Sequence, residues 1–320
     1  MKHKLKKISG DASFREFYRL KKNNKTSIIV FAKKEKFKNL AVYAVINDIL
    51  NRYKINAPKL LSSHYKNSMI EISDLGERSF YDQVISKKNK LNDYKSLIKL
   101  IIKLQKIKIK KIYKFEKLKI RISKYTLSHL HKESDLFFDW YLKYFLKNKN
   151  INNIKKRLRF ELNKVYKNLN YKNNTFVHRD FHVSNILINK KKLGIIDSQD
   201  AIIGNPLYDV SSLIDDVRIK LPDKLQNNLL EFYFKNSKLK YDKKDKLKND
   251  FDILSVQRNL KILGIFVRLY KRDKKGAYLK FLPYTWTLIE KRLENPVLKN
   301  LKILFNNLLP VKRLKKLNKI

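Results

Sequence analysis

Phe176-Val177-His178-Arg179-Asp180-Phe181-His182-Val183-Ser184-Asn185 is the stretch that decides the fold. It continues through Ile186-Leu187-Ile188 and a Lys-rich turn to Gly194-Ile195-Ile196-Asp197-Ser198-Gln199-Asp200. Its pattern reads as a loop followed by a small hairpin. The spacing puts Asp180 and Asn185 on one loop and brings Asp197 in at the end of the next short strand. Phosphoryl transfer asks little covalent chemistry of a protein: a positioned acceptor hydroxyl, and cations against the phosphates. Carboxylate and amide oxygens are hard ligands suited to Mg²⁺, and a carboxylate beside the acceptor takes its proton during transfer. An H-x-D-x-x-x-x-N run followed by a strand-terminal Asp supplies both needs.

Upstream, the first ninety or so residues look mixed. Phe14 to Leu20 and Ser27 to Ala32 are β-rich runs joined by the polar KKNNK, which reads as a hairpin. From Asn39 to Tyr53, Leu40, Val42, Val45, Ile46, Ile49 and Leu50 recur at helical spacing, and the pattern stops before Ala57-Pro58. Leu60 to Ser62 and Met69 to Ile72 are candidate strands, the second running into the turn Ser73-Asp74-Leu75-Gly76. Beyond this point the pattern is mainly helical. Helices are expected over 94–107, 121–147, 152–169, 206–218, 223–236, 247–271 and 285–306, and VKRLKKLNKI reads as a frayed basic tail.

The 320 residues include 75 Lys+Arg against 29 Asp+Glu, a formal net charge of +46. The excess is spread from Lys2 to Lys319 rather than gathered in a stripe, and no zinc finger, ribonucleoprotein motif or basic-zipper pattern accompanies it. A specific nucleic-acid partner is therefore not expected. With 43% hydrophobic residues the chain can bury a large core, and without Cys it has neither disulfides nor a thiolate site. The basic N-terminus has no apolar segment behind it, and no run approaches the roughly 18 apolar residues of a membrane span. A cytoplasmic protein without a membrane span is expected.

HRDFHVSN resembles the catalytic loop of the aminoglycoside phosphotransferase and choline kinase superfamily, and IDSQD stands where that superfamily carries its second metal-binding Asp. The resemblance implies an α+β, protein-kinase-like two-lobe fold: a small mixed N-terminal lobe with a β-sheet over 1–76 and a mainly helical C-terminal lobe over 77–320. It implies ATP and Mg²⁺ as cofactors, Asp180 as catalytic base, Asn185 and Asp197 as metal ligands, and His178 as support for the loop. GDASFREFYRL, ISDLGERSFYD, HKESDLFFDWYL and IDSQDAIIGNPLYDVSSLIDDVR are each similar to bacterial cell-wall sugar kinases, which phosphorylate the anomeric hydroxyl of N-acetylmuramate and N-acetylglucosamine. These matches run from about Gly10 to Arg218.

By the same resemblance Gly10, Asp11, Ala12 and Ser13 form the turn over the nucleotide, where small residues let backbone N–H groups approach phosphate. Glu71 and Asp74 fall in the linker that meets adenine; Glu71 reads equally as an edge-strand charge. Glu133 and Asp135 are candidates to accept bonds from sugar hydroxyls, although Leu136, Phe137, Trp140, Tyr141 and Tyr144 have the spacing of a packed helix face. Gln199 and Asp200, just past Asp197, are placed to reach substrate. Asp209 starts a helix and reads as architectural.

Two departures stand out. Ser198-Gln199 replaces the Phe-Gly of protein kinases, and SIIVFAKK carries no unambiguous phosphate-binding Lys of the V-A-I-K kind, since Lys33 and Lys34 lie in a Lys-rich run that reads as solvated charge. The expected activity is ATP-dependent phosphorylation of an amino sugar that feeds cell-wall recycling. The alternatives are a relative acting on choline, homoserine, an aminoglycoside or another sugar, and a basic nucleic-acid-binding protein on the same scaffold.

Overall fold

The computed structural model describes residues 4–8, 15–23, 25–32, 38–64, 67–110, 112–115, 117–146, 150–189, 192–237 and 244–309. The chain forms two compact units, one of residues 1–123 with 175–203 and the other of residues 124–174 with 204–320.

The first unit is built on an antiparallel five-stranded sheet of order β1-β2-β3-β5-β4, from β1 (Lys4–Ile8), β2 (Glu16–Lys22), β3 (Lys25–Phe31), β4 (Leu60–His64) and β5 (Met69–Ser73). The β2–β3 hairpin falls where KKNNK predicts it: Lys22 pairs with Lys25 and Asn23 takes a left-handed φ of 46°. β1 was not expected. Its sequence, KLKKI, carries too few apolar residues to announce a strand, and Leu5 is left exposed. Alternate residues Ile28, Val30, Ala32, Ile70 and Ile72 face one way and pack on Leu40 and Tyr43 of helix α1 (Lys38–Arg52).

Helices α2 (Phe80–Val84) and α3 (Leu91–Gln105) follow, then a short hairpin of β6 (Tyr113–Phe115) and β7 (Leu118–Ile120) that the Lys-rich sequence does not reveal. Ser79 caps α2 reciprocally with Asp82. The chain later returns with β8 (Thr175–Val177) and the hairpin of β9 (Ile186–Asn189) and β10 (Lys192–Ile195).

Drawing the lobes at Gly76 leaves 175–203 with the helices, and here the units differ from that division. Gly194 bridges to Asn56, Leu187 to Ser79, and the Ile195 N–H donates to the Asn56 carbonyl at 2.8 Å, so backbone pairing ties the returning segment to the sheet-bearing unit. Gly194 makes this approach close: a Cβ there would stand 2.8 Å from Leu75 Cδ1 and 3.0 Å from Asn56 Nδ2, so those side-chain ends would have to shift to admit one.

The second unit is helical: α4 (Leu127–Leu136), a π-helical turn over Phe137–Leu142, α5 (Lys143–Phe145), α6 (Ile151–Lys167), α7 (Leu207–Ile214), α8 (Asp223–Asn236), α9 (Lys244–Asp273), α10 (Leu282–Leu293) and α11 (Lys299–Leu308). α9 is buried on all sides over much of its length, and packs against α4, α7, α10 and the π turn. The single helix expected over 285–306 is broken at Asn295-Pro296: Pro has no N–H to continue the ladder, and the Asn295 side chain caps the Val297 N–H at 3.1 Å. No helix of the described residues is long and apolar enough to cross a membrane.

Candidate functional site

β8 is buried at all three residues and delivers the chain to His178, which is fully buried and holds the Ile196 carbonyl at 3.1 Å through Nε2. That bond ties the loop to the strand leading into Asp197. Arg179 then adopts φ 76°, a left-handed conformation that costs a side-chain-bearing residue about 1 kcal/mol, and the chain turns so that Asp180 is half-exposed. Phe181 and Val183 are buried on either side of His182, which anchors the loop from below.

Asn185 closes the loop. Its Nδ2 donates to the Asp180 carbonyl at 3.0 Å and to Asp180 Oδ2 at 3.2 Å. His182 Nε2 lies 3.4 Å from the same Oδ2 and 3.2 Å from Asn185 Nδ2. The Ile196 N–H donates to the Asn185 carbonyl at 3.1 Å, which brings Asp197 to the loop. Asp197 is again left-handed, φ 63° and ψ 38°. Burial, and then the charge of Asp180, push its carboxyl above the ordinary value; a bond from Gln199 and the charge of Arg15 work against that rise. Two carboxylates that oppose each other's ionisation beside an amide form a donor set that a hard cation would relieve, and Mg²⁺ commonly takes only one or two carboxylates together with phosphate oxygens. The residues present fit the ion.

Helix α1 reaches this loop from the side. Ser198 Oγ donates to Asn47 Oδ1 at 2.6 Å, and both residues are buried. One turn earlier on the same helix is Tyr43, its hydroxyl pushed up to about 12, chiefly by burial. The Arg15 guanidinium lies 5.8 Å from the Tyr43 ring centroid and is itself buried. His182, Asn47 and Arg15 were not singled out from sequence. The second His of HRDFH was a signal for the first; nothing local marks the other two.

The remaining sequence candidates are placed unequally. Gln199 turns inward and donates from Nε2 to Asp197 Oδ1 at 2.7 Å, so it orients the acid, whereas Asp200 is exposed with Arg179 Nη1 at 4.0 Å. Asp74 is engaged by a fork from Arg19, Nε to Oδ2 at 2.6 Å and Nη2 to Oδ1 at 3.1 Å, and it also caps the Gly76 N–H at 2.9 Å. Burial alone would raise its carboxyl, but these bonds outweigh it and hold the group below its ordinary value. Gly76 sits at φ +100°, which only Gly adopts without strain, and this geometry fixes the linker to β2. Glu71 accepts from Ser27 Oγ at 2.5 Å and Ser62 Oγ at 3.3 Å across the sheet. Gly10, Asp11, Ala12 and Ser13 lie outside the described residues, as do Lys33 and Lys34.

In the second unit Glu133 is buried and fully engaged. It accepts from Tyr208 Oη at 3.0 Å, Gln257 Nε2 at 2.9 Å, Lys261 Nζ at 3.0 Å and from Tyr125. These bonds make it the centre of an internal network, in contrast to the sugar contact expected from its sequence position. Asp135 receives Arg159 Nη1 at 2.6 Å, its second oxygen is buried without a hydrogen-bond partner, and burial raises its carboxyl despite Lys155 and Arg159. Asp209 is buried in the first turn of α7.

A buried strand, a strained acidic loop and a second acid at a strand end come together here. Residues 4–244 match the model of the phosphotransferase enzyme family. The chain belongs to that family and is a small-molecule kinase. Among solved structures it is similar to a choline/ethanolamine kinase family protein of Mesorhizobium loti, with TM-score 0.61 and 12% identity over 98% of this chain and 92% of that one. It is likewise similar to an aminoglycoside phosphotransferase, with TM-score 0.64 and 11% identity over 90% and 94%. More particularly, it is similar to the N-acetylmuramate/N-acetylglucosamine kinase of Pseudomonas aeruginosa, 26% identical over 89% of this chain and 84% of that protein. The Neisseria meningitidis protein of the same name is 23% identical over 86% and 81%.

Proposed function

We propose that the protein transfers the γ-phosphate of ATP to the anomeric hydroxyl of an amino sugar, N-acetylmuramate or N-acetylglucosamine, in the cytoplasm, and so feeds cell-wall recycling. The observation that carries this reading is the meeting of Asp180, Asn185 and Asp197 on one bonded loop in a chain that is similar, over most of its length, to relatives bearing that name. Asp180, with its half-exposed carboxylate, accepts the proton of the attacking hydroxyl as the new O–P bond forms and the bond to the β–γ bridging oxygen breaks. Asn185, by bonding both the backbone and the carboxylate of Asp180, fixes the direction of that carboxylate. His182 supports the same oxygen from the buried side. Asp197 and the Oδ1 of Asn185 are the atoms that would hold Mg²⁺, and the ion, when bound, neutralises charge on the phosphates. Gln199 keeps the Asp197 carboxylate aimed.

The test is phosphorus NMR of the protein with Mg-ATP and, separately, N-acetylmuramate, N-acetylglucosamine, choline, homoserine and an aminoglycoside, with Asp180→Asn alongside. The expected result is an anomeric phosphate signal with an amino sugar that is lost in the variant. Turnover with another acceptor alone would overturn the sugar assignment and keep the mechanism; full activity in Asp180→Asn would overturn the base.

A further inference from the structure

The first unit holds a concavity that the catalytic loop does not use. A cavity of about 610 Å³, within the size range of small-molecule sites, lies on helix α1, and none of its lining residues belongs to the 175–203 segment. Three pieces of chain build it. Ala44, Val45, Asp48, Asn51 and Arg52 share one face of α1, Lys59 and Leu60 stand at the start of β4, and Lys110 with Ile112 to Phe115 comes from the run that forms β6.

The chemistry of the wall is divided. Ala44 and Val45 are buried and Leu60, Ile112 and Phe115 half-buried, which gives it an apolar part. Arg52, Lys59, Lys110 and Lys114 are exposed around the opening, against one acid, Asp48, which holds Arg52 at 2.7 Å in an exposed pair. Among the described residues the ammonium groups of Lys59, Lys110 and Lys114 have no hydrogen-bond or ion-pair partner. Charges of one sign along a concave wall reinforce each other's field and attract an anion. Two neutral groups add direction. Asn51 donates from Nδ2 to the Asn47 carbonyl at 2.8 Å and the Ala57 carbonyl at 3.0 Å, which leaves its Oδ1 to accept. The Tyr113 hydroxyl accepts from the Lys110 N–H at 2.8 Å and keeps its own hydrogen to donate.

We propose that this cavity is a second ligand site, one that takes a sugar-sized phosphomonoester. The lysines match the phosphate, Asn51 and Tyr113 match hydroxyls, and Leu60 and Phe115 match the C–H face of a ring. The inference does not depend on which acceptor the catalytic loop phosphorylates. One turn back along α1 from Asn51, Asn47 bonds Ser198, the neighbour of Asp197, so the ligand occupies the helix that braces the acidic loop.

The test is titration calorimetry of the full-length protein at low salt with glucose 6-phosphate, glucose and inorganic phosphate as probes. Lys59→Glu/Lys114→Glu reverses the cavity charge. Because the net charge is +46, Lys224→Glu/Lys299→Glu makes the same change at exposed positions of the helical unit as a control. Glucose 6-phosphate should bind at one site about 10-fold or more tighter than either simpler probe. Its affinity should fall about 10-fold or more in the cavity variant and less than about threefold in the control. All four substituted lysines are exposed, so both variants should melt like the parent. Saturating Mg-ATP should leave the affinity for glucose 6-phosphate within about threefold. Four results would each overturn the site: no binding by the parent; inorganic phosphate as tight as the sugar phosphate, which is an adventitious ion only; equal weakening in the two variants, which is generic charge; or displacement by Mg-ATP, which puts the probe at the catalytic loop.

Discussion

Replacing Asp197 by Asn removes a charge and leaves the shape. Asn tolerates the left-handed backbone at φ 63°, ψ 38°, and its Oδ1 can still accept the 2.7 Å bond from Gln199. What disappears is a carboxylate whose ionisation is opposed by burial and by Asp180, and only partly repaid by Gln199 and Arg15. Relief of such a charge is worth about 1–2 kcal/mol once the Arg15 contribution is set against it. At roughly 2–4 °C per kcal/mol for a chain of this size, the metal-free variant should melt about 2–8 °C above the parent at neutral pH. The sign follows from the raised carboxyl. The parent loses stability as pH climbs from the ordinary carboxylate value through the raised folded one, so the gain shrinks toward about pH 4.

Saturating Mg-ATP should reverse the order, because the parent gains about 2.7 kcal/mol at a hundredfold excess over Kd and the variant, short of a ligand, gains little. Turnover should fall by about 10³. Differential scanning fluorimetry with and without Mg-ATP, across pH, reads all of this. A metal-free variant less stable than its parent at neutral pH would refute the reasoning, since it would mean that the fold already satisfies the carboxylate.

Gly264→Ala should cost about 3 kcal/mol, because its Cβ would stand 2.3 Å from the Leu136 carbonyl carbon and oxygen where α9 crosses the end of α4; an unchanged urea midpoint would show that the helices can part. Glu133→Ala strips the acceptor from Tyr125, Tyr208, Gln257 and Lys261 and should cost about 3–5 kcal/mol in urea unfolding; a stable variant with only a raised sugar KM would restore the substrate-contact reading. Arg19→Leu should cost about 2 kcal/mol at neutral pH. Because the Asp74 carboxyl is held low, that difference should fade as pH falls below about 4 and the paired carboxylate is protonated, and denaturation at several pH values checks it.

The chain's order of chemistry is local information. Asp180, Asn185 and Asp197 sit within one short loop-and-hairpin segment, so spacing and strand pattern alone predict that they meet, and the bonds among them follow. The β2–β3 hairpin, α1, α8 and α9 were legible for the same reason, each stating its period over its own length. β1 and the β6–β7 hairpin were not, because Lys-rich edge pieces carry no alternation and depend on a partner strand to exist. The role of Glu133 could not be read either: its helix pattern is equally that of a surface acid, and only partners at positions 208, 257 and 261 make it an internal hub.

The sequence by itself therefore determined the order and spacing of the candidate acids Asp180, Asn185 and Asp197 and the kinase-like class, since those depend on residue type and short spacing. Tertiary structure alone decided which unit holds the 175–203 segment, which acids are already engaged, and which buried cation stands near Asp197. Gly194 pairing at Asn56, Arg19 gripping Asp74 and Arg15 against Tyr43 are contacts between residues far apart in the chain, and no local period encodes them.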